Sequence, residues 1–212
     1  MIELIDITKQ FKDNIIFKDI NLEIPSGSRA FIQGANGSGK SVLLRMISGY
    51  LTPTAGEIII DGEILGNKFD FILNAGIFID APEFMPNWTG EENLLYLAKF
   101  RNIATKESIY QLAKEFGLQN DLSKKYKTYS LGMRQKLRLI QALMDEPKYL
   151  ILDEPFDALD KESRNKVLVL LDDYLNEDKE RTIIYTSHND SMEDFSDITF
   201  DIIERTITKV QK

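Results

Sequence analysis

The stretch GANGSGKS, residues 34–41, decides how this chain folds. It fits the pattern G-x-x-x-x-G-K-[S/T], in which glycines let the backbone curl until successive N–H groups point into one concavity. Residues 29–33 before it have the pattern of a strand, and residues 42–47 after it that of an amphipathic helix. A Gly- and Ser-rich turn without a ligand is the alternative, but strand, glycine loop and helix in this order favour a phosphate-binding loop.

The loop pattern assigns chemistry to individual residues. Lys40 is predicted to reach the β- and γ-phosphates of a nucleotide, which also makes it a candidate catalytic residue, and the Ser41 hydroxyl is predicted to ligate Mg²⁺. The N-terminus of the following helix adds positive potential for the phosphates. The residues predicted to surround the phosphates are Asn36, Gly37, Ser38, Gly39, Lys40, Ser41 and Val42.

Composition narrows the class of protein. The 212 residues are 43% hydrophobic, which allows one large domain, or a domain with a subdomain, around a sizeable core. A formal net charge of −8 argues against a nucleic-acid partner, and the lack of cysteine excludes disulfides and thiol chemistry. The acidic N-terminal residues do not resemble a signal peptide, and no apolar run is long enough to span a membrane, so we expect a cytoplasmic chain.

Strand and helix patterns alternate along the chain and predict an α/β fold with a mostly parallel sheet. The predicted strands are 2–7, 15–24, 29–33, 57–60, 74–79, 149–152, 182–186, 197–203 and 206–210. The predicted helices after the first are 90–100, 105–116, 131–144 and 161–175. Because residues 81–147 carry only helical patterns, we expect one domain, 1–212, in which 1–80 and 148–212 form the core and 81–147 a helical subdomain.

Two acidic residues follow the apolar strand at 149–152. Asp153 and Glu154 stand at its carboxyl end, which in a parallel sheet is the edge where ligands bind. Behind a phosphate loop, Asp153 is placed to hold Mg²⁺, and Glu154 is a candidate general base for an attacking water. Acids that merely cap a helix or solvate a turn are the alternative, which the phosphate loop disfavours.

A short segment before this strand carries a family resemblance. YSLGM, residues 129–133, resembles the LSGGQ signature of ATP-binding cassette (ABC) ATPases, with Ser130 and Gly132 at the matching positions. Leu131 replaces the first glycine of that signature, and Met133 replaces its glutamine. Ser130 and the Gly132 N–H also stand at a predicted helix N-terminus, which suits an anion.

Three more features resemble the same family in the same chain order. DALD, residues 157–160, resembles the D-loop, and His188, the only histidine, follows a strand as the switch histidine of the family does. Phe11 resembles the aromatic residue that stacks on adenine. A structural histidine and a partly buried core aromatic are the respective alternatives. The resemblance extends over essentially the whole chain.

The resemblance implies a RecA-like P-loop NTPase core with an N-terminal antiparallel β region and an inserted α-helical subdomain. It implies an ATPase subunit, with ATP and Mg²⁺, that powers transport, expected to be export, through separate integral membrane permease subunits at the cytoplasmic face of the membrane. Two ATPase subunits, expected to be identical, would each hold ATP between the Lys40 loop of one and the Ser130 signature of the other. A heterodimer, a soluble ABC ATPase without a transport role and a regulatory module that scarcely hydrolyses ATP remain alternatives.

Two positions depart from the family pattern. Asp80 stands where the family has a glutamine that ligates Mg²⁺ and couples ATP to the membrane partner. A carboxylate can also hold Mg²⁺, and our hypothesis is that Asp80 keeps the coupling role with a weaker metal contact; a plain loop residue is the alternative. Val42 replaces the usual threonine and leaves only its backbone N–H for a phosphate. Asp80 and the run WTGEENL at 88–94 resemble the subgroup that exports peptide antibiotics such as bacitracin and lantibiotics, or confers immunity to them.

Overall fold

The structure is a computed structural model that describes residues 1–80, 83–187 and 194–210. Its strands are β1 (Ile2–Phe11), β2 (Asn14–Ile24), β3 (Arg29–Gly34), β4 (Ala55–Ile60), β5 (Glu63–Ile64), β6 (Ala75–Phe78), β7 (Tyr149–Leu152), β8 (Thr182–Thr186), β9 (Ile198–Ile203) and β10 (Thr206–Lys209). Its helices are α1 (Lys40–Ser48), α2 (Gly90–Arg101), α3 (Lys106–Glu115), α4 (Leu131–Leu143) and α5 (Lys161–Glu177). Among these helices, none is both long and apolar enough to cross a bilayer.

The predicted antiparallel region is a four-stranded sheet in the order β2-β1-β4-β5. Ile2 on β1 pairs with Ile24 on β2 and with Ile60 on β4, so that buried side chains from three strands share one face. β4 begins at Ala55, earlier than the strand predicted for residues 57–60. The reason is Gly56: its φ of 86° and its close approach to the Ile5 carbonyl allow a register shift that keeps β1 and β4 paired.

The second sheet has the order β10-β9-β3-β8-β7-β6 and is parallel except for the β9–β10 pair. β7 and β8 are buried at every position, as expected for parallel strands covered on both faces. The carboxyl ends of β3, β8, β7 and β6 therefore meet at one edge of the sheet. The α/β fold with a mostly parallel sheet is confirmed.

The two faces of this sheet form separate apolar cores. On one face Phe31, Leu150 and Tyr185 pack with side chains from α2 to α5. On the other face residues such as Ile32 and Ile151 pack with α1 and the antiparallel sheet. Contact between α4 and β6 is especially close at Gly76, because a Cβ there would come 1.9 Å from the Ala142 carbonyl oxygen.

Helices α2, α3 and α4 all lie between β6 and β7, where the sequence predicted helices. Thr89 caps α2 and Thr105 caps α3, each accepting a hydrogen bond from a backbone N–H in the first turn. The sequence reading missed two short elements, β5 and a 3-10 turn at Tyr126–Thr128, because neither is long enough to show a period. The division into a core and a helical subdomain stays a prediction.

Candidate functional site

The loop between β3 and α1 has the conformation that its glycines allow. Gly39 has a φ of 111° and lies against β2, because a Cβ there would come 2.7 Å from the Phe17 ring. Gly34 has a φ of 150°, and a Cβ there would come 2.7 Å from the Ser38 hydroxyl. That hydroxyl is buried without a hydrogen-bond partner among the described residues. Closely packed glycines and an unsatisfied hydroxyl are features of a cradle shaped for a polar ligand.

Lys40 lies over the inside of the loop. Its residue is 6% exposed, and Nζ donates hydrogen bonds to the carbonyl oxygens of Gly34 and Ala35, at 2.8 and 3.3 Å. Both acceptors are backbone carbonyls of the loop itself. Neither of these two contacts therefore pairs the ammonium with a carboxylate. Val42 follows on α1 and packs against the apolar core.

A cavity of about 280 Å³ opens at the carboxyl edge of the parallel sheet. Its lining brings together four residues that the sequence singled out: Ser41, Asp80, Asp153 and Glu154. They arrive from α1, β6 and β7, since these elements begin or end at the same edge. The remaining lining residues are Phe78, Gln135 and Asp157.

Thr186, which the sequence reading missed, joins the two acids of the cavity. Its buried hydroxyl donates to Asp153 Oδ1 at 2.6 Å and accepts from the Glu154 N–H at 2.9 Å. Gln135 of α4 donates from Nε2 to the Glu154 carbonyl oxygen at 3.0 Å. Glu154 itself has a φ of 52°, a strained backbone for a non-glycine residue, which these contacts hold in place.

Asp80 is engaged by an arginine that was also missed. Arg45 on α1 donates from Nε to Asp80 Oδ2 at 2.7 Å, and its Nη2 lies 2.5 Å from Oδ1. The hydrogen bond to Asp80 raises the pKa of Arg45 against the opposing effect of burial, and the charges of Asp80 and Asp153 add to it. Both oxygens of the Asp80 carboxylate therefore face a cation of the same chain.

The signature segment forms the beginning of α4. Ser130 is the N-cap, and its hydroxyl accepts from the Met133 N–H at 3.2 Å. Gly132 lies against residues 157–160, since a Cβ there would come 3.2 Å from the Ala158 carbonyl oxygen. Leu131 is 65% exposed. Of the described residues that line the cavity, α4 supplies Gln135 and neither Ser130 nor Gly132.

Phe11 lies at the tip of the β1–β2 hairpin and is 43% exposed. It is not a member of either buried core, so the alternative of a core aromatic is wrong. Lys9 Nζ lies 4.8 Å from the centroid of its ring. His188 lies outside the described residues, and β8, the strand that precedes it in the chain, pairs with β7.

The donor set around the cavity suits a hard cation. The Ser41 hydroxyl and the Asp153 carboxylate border the same space, and oxygen donors are what Mg²⁺ prefers. Within the described ranges no three acidic or histidine side chains gather into a metal site. A Mg²⁺ ion here would therefore need further oxygens, which nucleotide phosphates provide.

Comparison with known proteins agrees with this geometry. The profile of a family described as "ABC transporter" matches residues 17–157. An uncharacterized ABC transporter ATP-binding protein of Bacillus subtilis (strain 168), YybJ, is 37% identical over 191 residues, 89% of this chain and 86% of the relative. The bacitracin transport ATP-binding protein BcrA of Enterococcus faecalis is 34% identical over 189 residues, and the match covers 89% of this chain but 61% of that longer relative.

A solved structure shares the whole fold. The ATP-binding cassette MJ0796, in a dimeric post-hydrolysis state bound to ADP and Pi, matches with a TM-score of 0.87 over 100% of both chains. The sequence identity is 24%, so this likeness concerns the fold alone.

Proposed function

This chain belongs to the ABC transporter family as an ATP-binding, ATP-hydrolysing subunit, and we propose that it powers export through separate integral membrane permease subunits. The observation that carries the proposal is the single cavity that holds Ser41 of the phosphate loop beside Asp153 and Glu154 of the neighbouring strand end. A module that only binds the nucleotide would not need Glu154 as a general base. The proposed location of the subunit is the cytoplasmic face of the membrane, where ATP is available.

The proposed chemistry is mostly positioning and charge stabilisation. Lys40 and the loop N–H groups hold the triphosphate, and Glu154 orients and deprotonates the attacking water. Mg²⁺, held by Ser41 and Asp153, would neutralise charge on the phosphate oxygens. His188 is assigned to the γ-phosphate on sequence grounds, and Phe11 to stacking on the adenine ring.

We further propose that two copies of the chain close head to tail around ATP. The support is the orientation of the signature: Ser130 and Gly132 lie at an exposed helix N-terminus and do not line the cavity of their own chain. A helix N-terminus suits the γ-phosphate of a nucleotide held by another subunit. The D-loop residues beside Gly132 would then lie at the same interface.

The permease contact is assigned to an exposed aromatic surface on α2 and the loop before it. Trp88, Tyr96 and Phe100 pack edge to face, with centroids 5.3 and 5.5 Å apart, and all three remain exposed. Exposed aromatic clusters of this kind are typical of protein interfaces. The surface follows Asp80 in the chain, and both belong to the segment between β6 and the end of α2.

The transported substrate is proposed to be a peptide antibiotic. BcrA, a bacitracin transport protein by name, matches 89% of this chain, and the Asp80 position points to the same subgroup. Export of such a peptide would protect the cell, and a strain lacking this chain should be more sensitive to the peptide that it exports.

The decisive experiment is Glu154→Gln. This variant should bind ATP with near wild-type affinity, lose turnover by at least about a hundredfold and accumulate as a stable ATP-bound dimer, because the general base is lost but the binding groups remain. Gel filtration with ATP measures the dimer, and a phosphate-release assay measures the turnover. Glu204→Gln, on the exposed β9–β10 turn, is the matched control. A Glu154→Gln protein that stays monomeric and turns over normally would refute the assignment.

A further inference from the structure

Lys9 on β1 is a buried lysine for which the proposed reaction has no role. The residue is 9% exposed, although lysine is almost never buried without a partner. Its Nζ donates to the Thr52 carbonyl oxygen at 2.6 Å and lies 4.8 Å from the centroid of the Phe11 ring. Burying an ammonium is unfavourable, and methionine would fill similar space without that cost. The charge at this position therefore calls for an explanation other than packing.

The position of Lys9 links the phosphate loop to Phe11. In the β1–β2 register Lys9 pairs with Phe17, whose buried ring packs against Gly39 of the loop. Thr52, the acceptor of the Lys9 hydrogen bond, lies just after α1, the helix that leaves the same loop. Lys9 is thus anchored beside elements that adjoin the phosphate loop, and it also contacts the exposed ring of Phe11.

We propose that Lys9 is a positioning residue that orients the Phe11 ring for stacking on adenine, an inference that rests on the proposed function. The ammonium lies over the ring and is anchored to a backbone carbonyl, so it favours one orientation of a side chain that is otherwise at the surface. The ring is 43% exposed and so leaves surface free for a base. A ring already held in its binding orientation loses less conformational entropy when the nucleotide arrives.

The test compares ATP with inorganic tripolyphosphate, which has the phosphates but no base. Lys9→Met should weaken ATP binding by about three- to tenfold and leave tripolyphosphate binding within about twofold of wild type. Lys9→Arg keeps a cation and should retain most of the ATP affinity. Lys18→Met, the same change at an exposed position on β2, is the control. Isothermal titration calorimetry of the full chain, in the presence of Mg²⁺, measures the affinities for ATP and tripolyphosphate. Turnover at saturating ATP should be unchanged in Lys9→Met.

Phe11→Ala separates the inference from the function on which it rests. This variant should lose ATP affinity at least as strongly as Lys9→Met, and adding Lys9→Met to it should cause no further loss, because the lysine acts through the ring. If Phe11→Ala weakens ATP binding and Lys9→Met does not, the role of Lys9 is wrong while adenine stacking stands. If Phe11→Ala has no effect, both are wrong. Equal losses for ATP and tripolyphosphate in Lys9→Met would also overturn the proposal.

Discussion

The Thr186 hydroxyl donates a 2.6 Å hydrogen bond to the Asp153 carboxylate from the neighbouring strand. Its oxygen also accepts from the Glu154 N–H, and the side chain is fully buried. One hydroxyl thus fixes both acids at the end of β7. We predict that Thr186→Val, which keeps the shape, lowers stability by about 1–3 kcal/mol, since a buried donor and acceptor lose their partner. Turnover should fall by roughly 10- to 100-fold through misplacement of Glu154.

Urea unfolding and steady-state kinetics of Thr186→Val measure the two effects. Thr186→Ser, which retains the hydroxyl, is the matched control and should keep most of the turnover. Affinity for ATP should change little in either variant, because Lys40 and the loop are untouched. Wild-type turnover in Thr186→Val would contradict a positioning role for this hydroxyl.

The ion pair between Arg45 and Asp80 leads to a prediction about coupling. Because their side chains are 39% and 51% exposed, breaking the pair should change stability by less than about 1 kcal/mol. Asp80→Gln should tighten the apparent affinity for Mg²⁺ a few-fold, since an amide oxygen replaces a carboxylate engaged by arginine. Asp80→Ala should reduce transport more than ATP hydrolysis.

ATPase assays over a Mg²⁺ series, with and without the permease, test the role of Asp80. Arg45→Met provides the complementary variant, in which the carboxylate remains and its cation is gone. If Asp80→Gln and Asp80→Ala both match the wild type in hydrolysis and in transport, Asp80 is only a loop residue.

The sequence predicted the parts of the site that are local in the chain. The loop at 34–41 and the acids after β7 are short motifs whose chemistry depends on backbone conformation and on the strand that precedes them. The groups that hold these motifs were not predictable, because they are distant from them along the chain. Thr186 lies 33 residues from Asp153, Gln135 lies 19 residues from Glu154, and Arg45 lies 35 residues from Asp80. Such pairs depend on sheet order and helix packing, which a single sequence does not encode in any local pattern.

Asp61 provides a prediction about acid stability. Burial opposes ionisation of its carboxyl, but hydrogen bonds from the Met1 amino group, Tyr149 and Lys148 outweigh burial and lower the pKa to about 2. Since the folded-state pKa lies below the usual aspartate value, the stabilisation is full above about pH 4 and is lost as the pH falls towards 2.

Asp61→Asn should therefore be less stable than wild type at neutral pH, and the difference should shrink between about pH 4 and pH 2. Because the carboxylate is 43% exposed, we expect the difference in the free energy of unfolding to be no more than about 1 kcal/mol. Thermal unfolding across this pH range measures it, with Asp13→Asn in the β1–β2 turn as control. A difference that stays constant with pH would show that the Asp61 charge contributes nothing.

The exposed signature leads to a prediction about a composite site. Ser130→Arg places a large cation at the N-terminus of α4 and removes its cap, so hydrolysis should be abolished while the single chain still binds ATP through Lys40. Lys40→Ala should also be inactive, because it keeps an intact Ser130 signature but loses the lysine that holds the phosphates. If each site uses Lys40 of one copy and Ser130 of the other, mixing the two inactive variants restores one complete site in each mixed dimer. Turnover should then recover to about a quarter of wild type, because about half of the dimers are mixed and each carries one of two sites. A mixture as inactive as its components would place both residues in the same chain's site.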